Sequence, residues 1–308
     1  MHKKRLLFAG IGLLLLLTGC GIADQAEEKE KSKEVNGKET EQIPEYVSVE
    51  EYTGEGFTFK NGNEESDRIA EENREDIEIA VKQFMLDKYK TQVGVHNIVG
   101  AIDYASVYVE AKEPLSFYTF VNVPVDIKNE QVNIDRIWTL EGEVEVAMWS
   151  ALYGLVFEDG IEKLQSYLES VADEYGFVGE RVESLQNVGG RGFAKPYFYV
   201  SVSDPQFREL YERYLANPDM DTEEMKAAID PSKIDPAHVS LTIDLYMKEK
   251  GSDPNREMME KVKADTESMD GLPPGTYSVY LNDNDISTAY GMGTKPSQIN
   301  TDDYIVKE

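Results

Sequence analysis

The chain has 308 residues, with 59 acidic against 31 basic side chains and a formal net charge of −28. So negative a balance opposes nucleic-acid binding, which needs basic surface to neutralise phosphates, and opposes lying flat on an anionic membrane. One cysteine and three histidines cannot build a Cys/His-rich zinc site, and no His-Glu-x-x-His, Gly-x-Ser-x-Gly or Gly-x-x-x-x-Gly-Lys-Ser/Thr run occurs, so no cofactor, metal or catalytic residue is assigned from motifs.

The chain begins with a basic cap, His2-Lys3-Lys4-Arg5, then an apolar run of twelve residues from Leu6 to Leu17, closed by Leu17-Thr18-Gly19-Cys20. Twelve residues fall short of the ~20 that a membrane-spanning helix needs, and suit the apolar region of a signal peptide. Residues 1–19 are expected to be a lipoprotein signal, cut before Cys20, whose thiol then carries a diacylglyceryl group. An incidental cysteine in an ordinary secretory signal is the plainer alternative. Against it, Cys20 is the sole cysteine, so it has no intrachain disulfide partner. Two acyl chains, at ~0.8 kcal/mol per buried methylene, meet the requirement for stable anchoring. Cleavage would leave 289 residues and, with Lys3, Lys4 and Arg5 gone, a charge of −31.

Residues 20–42 read as a lipidated cysteine followed by a charged tether, because Gly21 to Gln42 holds too few apolar residues to bury a core. Ordered structure should start near Ile43, in short extended pieces with glycine turns. A helix is expected from Ser66, as its cap, to about Lys90, with Ile69, Ile77, Val81, Phe84 and Met85 on one stripe. Three strands follow, Val93–Val99, Tyr104–Ala111 and Phe117–Ile127. Their period-two alternation and short connections favour antiparallel pairing, with Pro124 at an edge or bulge.

A second helical block spans about Glu141 to Tyr175, with a break expected at Glu158-Asp159-Gly160. Val178–Val188 and Phe193–Val202 read as a strand pair about Gly189-Gly190. Then come a helix through Phe207, Leu210, Tyr211 and Tyr214, a short helix near Thr222–Ile229, a strand Val239–Met247, a helix near Pro254–Ser268 and a strand Thr276–Leu281. Residues beyond Asn282 read as polar and loose. Asp87-Lys88-Tyr89-Lys90 and Asp173-Glu174-Tyr175-Gly176 form an internal echo, each ending a helix before an extended run. The expectation is an α+β fold of mainly antiparallel sheet packed against helices, in which two helix-plus-hairpin units are one arrangement. Residues 43–140 and 141–285 would be its two parts, or one continuous domain, with 286–308 a polar tail.

Several clusters invite a functional reading and mostly resist it. Asn282-Asp283-Asn284-Asp285 resembles the start of a calcium loop but lacks the glycine and glutamate such a loop requires at its sixth and twelfth places. Asp219-x-Asp221-x-Glu223 fails similarly and reads as a helix start. Gly291-Met292-Gly293 could present amides to an anion, although Pro296 argues against a helix behind it. Tyr197-Phe198-Tyr199 and Phe117-Tyr118-x-Phe120 put aromatics on both sheet faces, and an open face could stack on sugars or peptides. His96 reads as a structural histidine.

The Leu-Thr-Gly-Cys junction, the acidic tether, Glu51-Tyr52-Thr53-Gly54-Glu55-Gly56-Phe57, Val95-His96-Asn97-Ile98-Val99-Gly100-Ala101, Val107-Tyr108-Val109-Glu110 and Ile243-Asp244-Leu245-Tyr246-Met247-Lys248 together resemble an uncharacterised lipoprotein family, a domain of unknown function, of Gram-positive bacteria related to bacilli and staphylococci. The resemblance covers most of the mature chain. It implies a cell-surface location on the extracytoplasmic face of the membrane and carries no activity and no catalytic residues. The reading that results is a membrane-anchored, non-enzymatic binding or scaffold module meeting a cationic or neutral envelope partner. The alternatives are a solute-binding lipoprotein of a transporter and a carboxylate-dependent envelope enzyme.

Overall fold

Asn63 sets the start of the first helix pair. Its side chain accepts the backbone N–H of Glu65 at 2.9 Å, capping α1 (Glu64–Glu72). Asn73 then interrupts the helix, its amide donating to the Ile69 carbonyl at 2.8 Å, before α2 (Arg74–Tyr89) resumes. The sequence pattern suggests one helix capped by Ser66. Ser66 is instead buried one turn inside, its hydroxyl donating to the Ile102 carbonyl at 3.4 Å. These features come from a computed structural model, which describes residues 46–59, 62–288, 291–293 and 297–308. The expected signal, Cys20 and the tether lie outside the described residues.

β2 (Val93–Gly100), β3 (Tyr104–Ala111), β4 (Phe117–Asp126) and β5 (Gln131–Val132) form an antiparallel sheet in that order. Pro124 lies near the end of β4, opposite Tyr104. Alternation in β3 does not give one wet face. Ala105, Val107, Val109 and Ala111 enter the main core, while Ser106, Tyr108 and Glu110 on the other side are only 2%, 5% and 7% exposed. Phe57, edge-on to Tyr108 at 6.0 Å, and the short helix α5 (Val182–Val188) cover that second face.

α3 (Glu143–Val156) and α4 (Glu158–Tyr175) meet at Phe157. The break therefore precedes the expected one, and Gly160 sits in the first turn of α4. A Cβ there would stand 2.7 Å from Pro273 Cδ, so this glycine permits helix and loop to touch. β6 (Phe177–Val178) follows. The next segment is where sequence and structure part, since Val182–Val188 is helical and does not pair across Gly189-Gly190. The hairpin there is β7 (Phe193–Lys195) with β8 (Phe198–Val202), turning at Pro196-Tyr197.

Asp204 caps α6 (Pro205–Ala216) and Asp221 caps α7 (Thr222–Ala227), each side chain accepting an N–H two or three residues ahead. β9 (Val239–Met247), α8 (Arg256–Ser268) and β10 (Gly275–Asn282) form a strand–helix–strand unit whose strands run parallel. A parallel pair needs such a crossover. The residues read as a loose tail instead supply β11 (Asp285–Ser287), β12 (Met292–Gly293), β13 (Ile299–Asn300) and β14 (Ile305–Lys307). β13 and β14 both pair with β10, and β11 pairs with β12 and with β1 (Tyr46–Ser48).

Among the described residues the larger sheet runs β13-β10-β9-β8-β7, with β14 on β10 and β6 on β9. The architecture is α+β with antiparallel-rich sheets, as the alternation and short connections suggest. A single buried cluster extends from Ile69 to Ile305 and draws on both sides of residue 140. The internal echo holds at the helix ends, where Lys90 and Gly176 both cap in the left-handed region (φ 56° and 78°). Beyond those caps the two segments diverge, β2 pairing with β3 and β6 with β9.

Candidate functional site

The two larger sheets meet at the glycine run Gly189-Gly190-Arg191-Gly192. Gly192 exchanges two backbone hydrogen bonds with Tyr118 of β4, at 2.9 and 3.1 Å. Its φ of +69° and the 3.0 Å that would separate a Cβ from Ala147 Cα both require glycine. Beneath this run a cleft of about 480 Å³ opens against the first turns of α3 and residues Tyr199 to Ser201 of β8. Glu141, Glu143, Ser150, Arg191, Tyr199 and Ser201 are among its walls.

Arg191 is the cation of the cleft, and its charge is already matched. Glu180 Oε1 accepts from it at 2.5 Å and Asp244 Oδ2 lies 3.6 Å away. Glu180 is 5% exposed and Arg191 28% exposed, so this is a largely desolvated pair. The charge of Glu180 raises the arginine pKa above its usual value. The Tyr246 hydroxyl donates to the same Glu180 oxygen at 3.4 Å, and burial, followed by the Glu180 charge, pushes the Tyr246 phenol up. Tyr52 responds in the same way to burial and to Glu180. Asn282 donates to Asp244 at 2.7 Å, and Arg191 lies over the Tyr199 ring, 5.4 Å from its centroid. The network thus pins the glycine run to the ends of β9 and β10.

Glu143 differs. It is half-buried on the cleft wall, and burial alone holds its carboxyl above the ordinary glutamate range. Ser150 is not free to act as a nucleophile, because it donates to the Val146 carbonyl at 2.8 Å and accepts the Val202 N–H at 3.2 Å. The cleft therefore offers the carboxyls of Glu141 and Glu143, one neutralised guanidinium and an aromatic wall. That set can orient a small polar ligand, and among the described residues no group of three His, Cys, Asp or Glu side chains is placed to hold a metal ion.

A second cluster lies on the far face of β3. His96 Nε2 is 2.8 Å from Glu110 Oε2, which also accepts from Gln186 at 3.2 Å and pairs with Lys112 at 3.3 Å. A register shift in β2 between Val95 and Asn97 accompanies this contact. Burial, then Glu110, lifts the Tyr118 phenol to about 12. His96 is thus the structural histidine that its apolar strand suggests.

The remaining candidates fall in structural roles. Asn282 and Asn284 donate to the Leu245 and Met247 carbonyls at 3.1 and 2.7 Å, so the calcium-like run ties β10 to the end of β9. Asp221 caps α7. Met292 and Gly293 form β12, and residues 294–296 lie outside the described residues. Phe117 and Phe198 are core, Tyr197 packs edge-on to Phe177 at 5.9 Å, and Tyr118 and Tyr199 join a small cluster with Leu185 and Ala194. Sequence reasoning missed Arg191, Glu180 and Glu143. The available signal was Arg191 itself, a lone cation within a glycine run.

Fold and cleft together define an α+β protein whose two main sheets are joined by a charge-paired glycine loop. The family model described as "Protein of unknown function (DUF1672)" matches residues 39–307, and the chain belongs to that family. It is also similar to a DUF1672 family protein from Staphylococcus aureus subsp. aureus Mu50, known from a crystal structure at 1.80 Å. Identity is 17% and the TM-score 0.68, with 86% of this chain and 99% of that one covered, so the likeness is one of fold. No curated protein matches the chain.

Proposed function

We propose that the protein is an extracytoplasmic lipoprotein, anchored through a diacylglyceryl group on Cys20, whose folded part acts by binding and not by turnover. The observation that carries this reading is the Leu17-Thr18-Gly19-Cys20 junction behind a basic cap and a twelve-residue apolar run. Among the described residues no helix is long and apolar enough to cross a membrane, so the lipid would supply the attachment. A charged tether of about 20 residues gives a coil span of roughly 25 Å, on ~5–6 Å times the square root of length, which keeps the domain near the bilayer and free to reorient.

The binding reading gains support from the cleft, where the guanidinium and its carboxylates are committed to each other. Its partner would be neutral or cationic, since a mature charge of −31 repels anions and sets the encounter rate of charged partners. Palmitate labelling of cells tests the anchor. Label should enter the wild type and be lost in Cys20→Ala, with unprocessed precursor accumulating. Equal incorporation in both would overturn the anchor.

A further inference from the structure

Helices α3, α4, α6 and α8 pack on the apolar side of the larger sheet, where Val239, Leu241, Ile243, Leu245, Tyr277, Val279 and Leu281 join the main core. The alternate residues of the same strands face the other way. Pairing across the sheet sets them in rows. Ser201, Ser240 and Thr276 form one row, Tyr199, Thr242 and Ser278 the next, and Asp244, Tyr280 and Asn300 the third. Thr276 pairs with Val306 of β14, and the same antiparallel register, continued, sets Tyr304 beside Ser278.

The first two rows carry no charge, on a chain in which 29% of residues are charged. That contrast singles the surface out, since an ordinary wet face of this chain would carry lysines and glutamates. Thr276 donates to the Pro236 carbonyl at 2.9 Å. The hydroxyls of Ser201, Ser240, Thr242 and Ser278 bond no other described side chain or backbone group. Ser201 and Ser240 are exposed, and Thr242 and Ser278, only 7% and 8% exposed, form a floor between tyrosines. Tyr199 stands on one side and Tyr304, 70% exposed, on the other, about three strand spacings or roughly 14 Å apart. Tyr280 stands in the adjoining row, near enough to Tyr199 and Tyr304 to feel both.

We propose that this face is a binding surface for an uncharged polysaccharide, laid along the Thr242–Ser278 row with sugar rings against Tyr280 and Tyr304. The inference is independent of the anchor, and the face adjoins the cleft, whose walls include Tyr199 and Ser201. Free hydroxyls can exchange hydrogen bonds with sugar hydroxyls, and tyrosine presents an apolar ring with a polar tip. An extended peptide would instead seek unpaired backbone at a sheet edge, which a sheet face lacks. An anionic polymer is opposed by the net charge of −28, and Asp244, the acid of the third row, already faces Arg191. The same net charge opposes a second copy stacking on the face.

Calorimetric titration of the full chain in detergent, against neutral hexamers of glucose, mannose and N-acetylglucosamine, tests the proposal. Saturable binding to one of the three is expected, with equal affinity at low and high salt because the ligand is uncharged. Tyr304→Ala should weaken it about tenfold, equivalent to ~1.4 kcal/mol, and Tyr304→Phe should restore it. Tyr304 is 70% exposed, so its removal leaves the fold intact and the readout interpretable. Absence of binding to all three sugars, or unchanged affinity in Tyr304→Ala, overturns the proposal. So does a wild-type dimer in sedimentation that Tyr304→Ala dissolves, which would assign the face to a second copy.

Discussion

The two main sheets are built from similar strands and differ in what lies on their second face. In the four-stranded sheet that face is covered, so its polar side chains are spent on one another. Ser106 donates to Asn122 at 2.7 Å, and Glu110 holds His96, Gln186 and Lys112. In the larger sheet the corresponding hydroxyls of Ser201, Ser240, Thr242 and Ser278 bond no described group. Polar residues under cover must be satisfied or they cost ~1–3 kcal/mol each, whereas exposed ones are held by water. Ser201 and Ser240 are exposed and can be held by water, whereas Thr242 and Ser278, 7% and 8% exposed, lie at the floor between the tyrosines.

The sharpest way to break this comparison is to remove a tyrosine from each sheet. Tyr108 is 5% exposed, packed between Phe57 and Phe120 at 6.0 Å from each. Tyr108→Ala should cost ~3–5 kcal/mol in urea unfolding, the range for emptying a large aromatic site. Tyr280 is half-buried, and Tyr280→Ala should cost about 1 kcal/mol, as for an ordinary peripheral substitution. Equal losses would mean that the second face of the larger sheet is covered as well.

A smaller effect tests the seam between the sheets. Arg191→Met removes the cation and leaves Glu180, 5% exposed, without its partner. Breaking a fully buried pair costs 3–5 kcal/mol, and discounting for the 28% exposure of Arg191 brings the expectation to about 2–3 kcal/mol. Urea unfolding at neutral pH measures it. A change within about 0.5 kcal/mol would show that Glu180 is solvated by another route and that the network does not hold the seam.

The same contrast explains what could be read in advance. β2, β3 and β4 pair with their sequence neighbours, so alternation and short turns suffice to place them, and β3 begins and ends where the pattern does. β9 is equally visible as an element, but its partners are not. It pairs antiparallel with β8, parallel with β10 through α8, and with the two-residue β6. Nothing local encodes that choice. Val182–Val188 misled because seven residues give less than two full helical turns, too few to separate period 3.6 from period 2, and its valines suit a strand. The strands past Asn282 are two or three residues long with isolated apolar side chains such as Ile305, and they gain order by pairing with β10, with β1 and, for β12, with β11. The charge network was invisible for a related reason. Glu180, Arg191 and Asp244 sit on a loop, a glycine run and a strand, with no fixed spacing for the eye to catch.

The finest test compares two serines on equivalent faces. Ser106→Val on β3 takes away the hydroxyl that donates to Asn122, and both residues are at most 2% exposed. The stranded Asn122 oxygen should cost about 1–3 kcal/mol, the penalty for a buried acceptor left without its partner. Ser240→Val on β9 removes a hydroxyl that bonds nothing described and faces solvent. Valine suits a strand, so the change should fall within about 0.5 kcal/mol, of either sign. Measured on the same protein by the same urea titration, the pair isolates cover from strand chemistry, since both substitutions swap a hydroxyl for methyls. If Ser240→Val proves as costly as Ser106→Val, the open face is occupied in solution, and the free hydroxyls there already have partners.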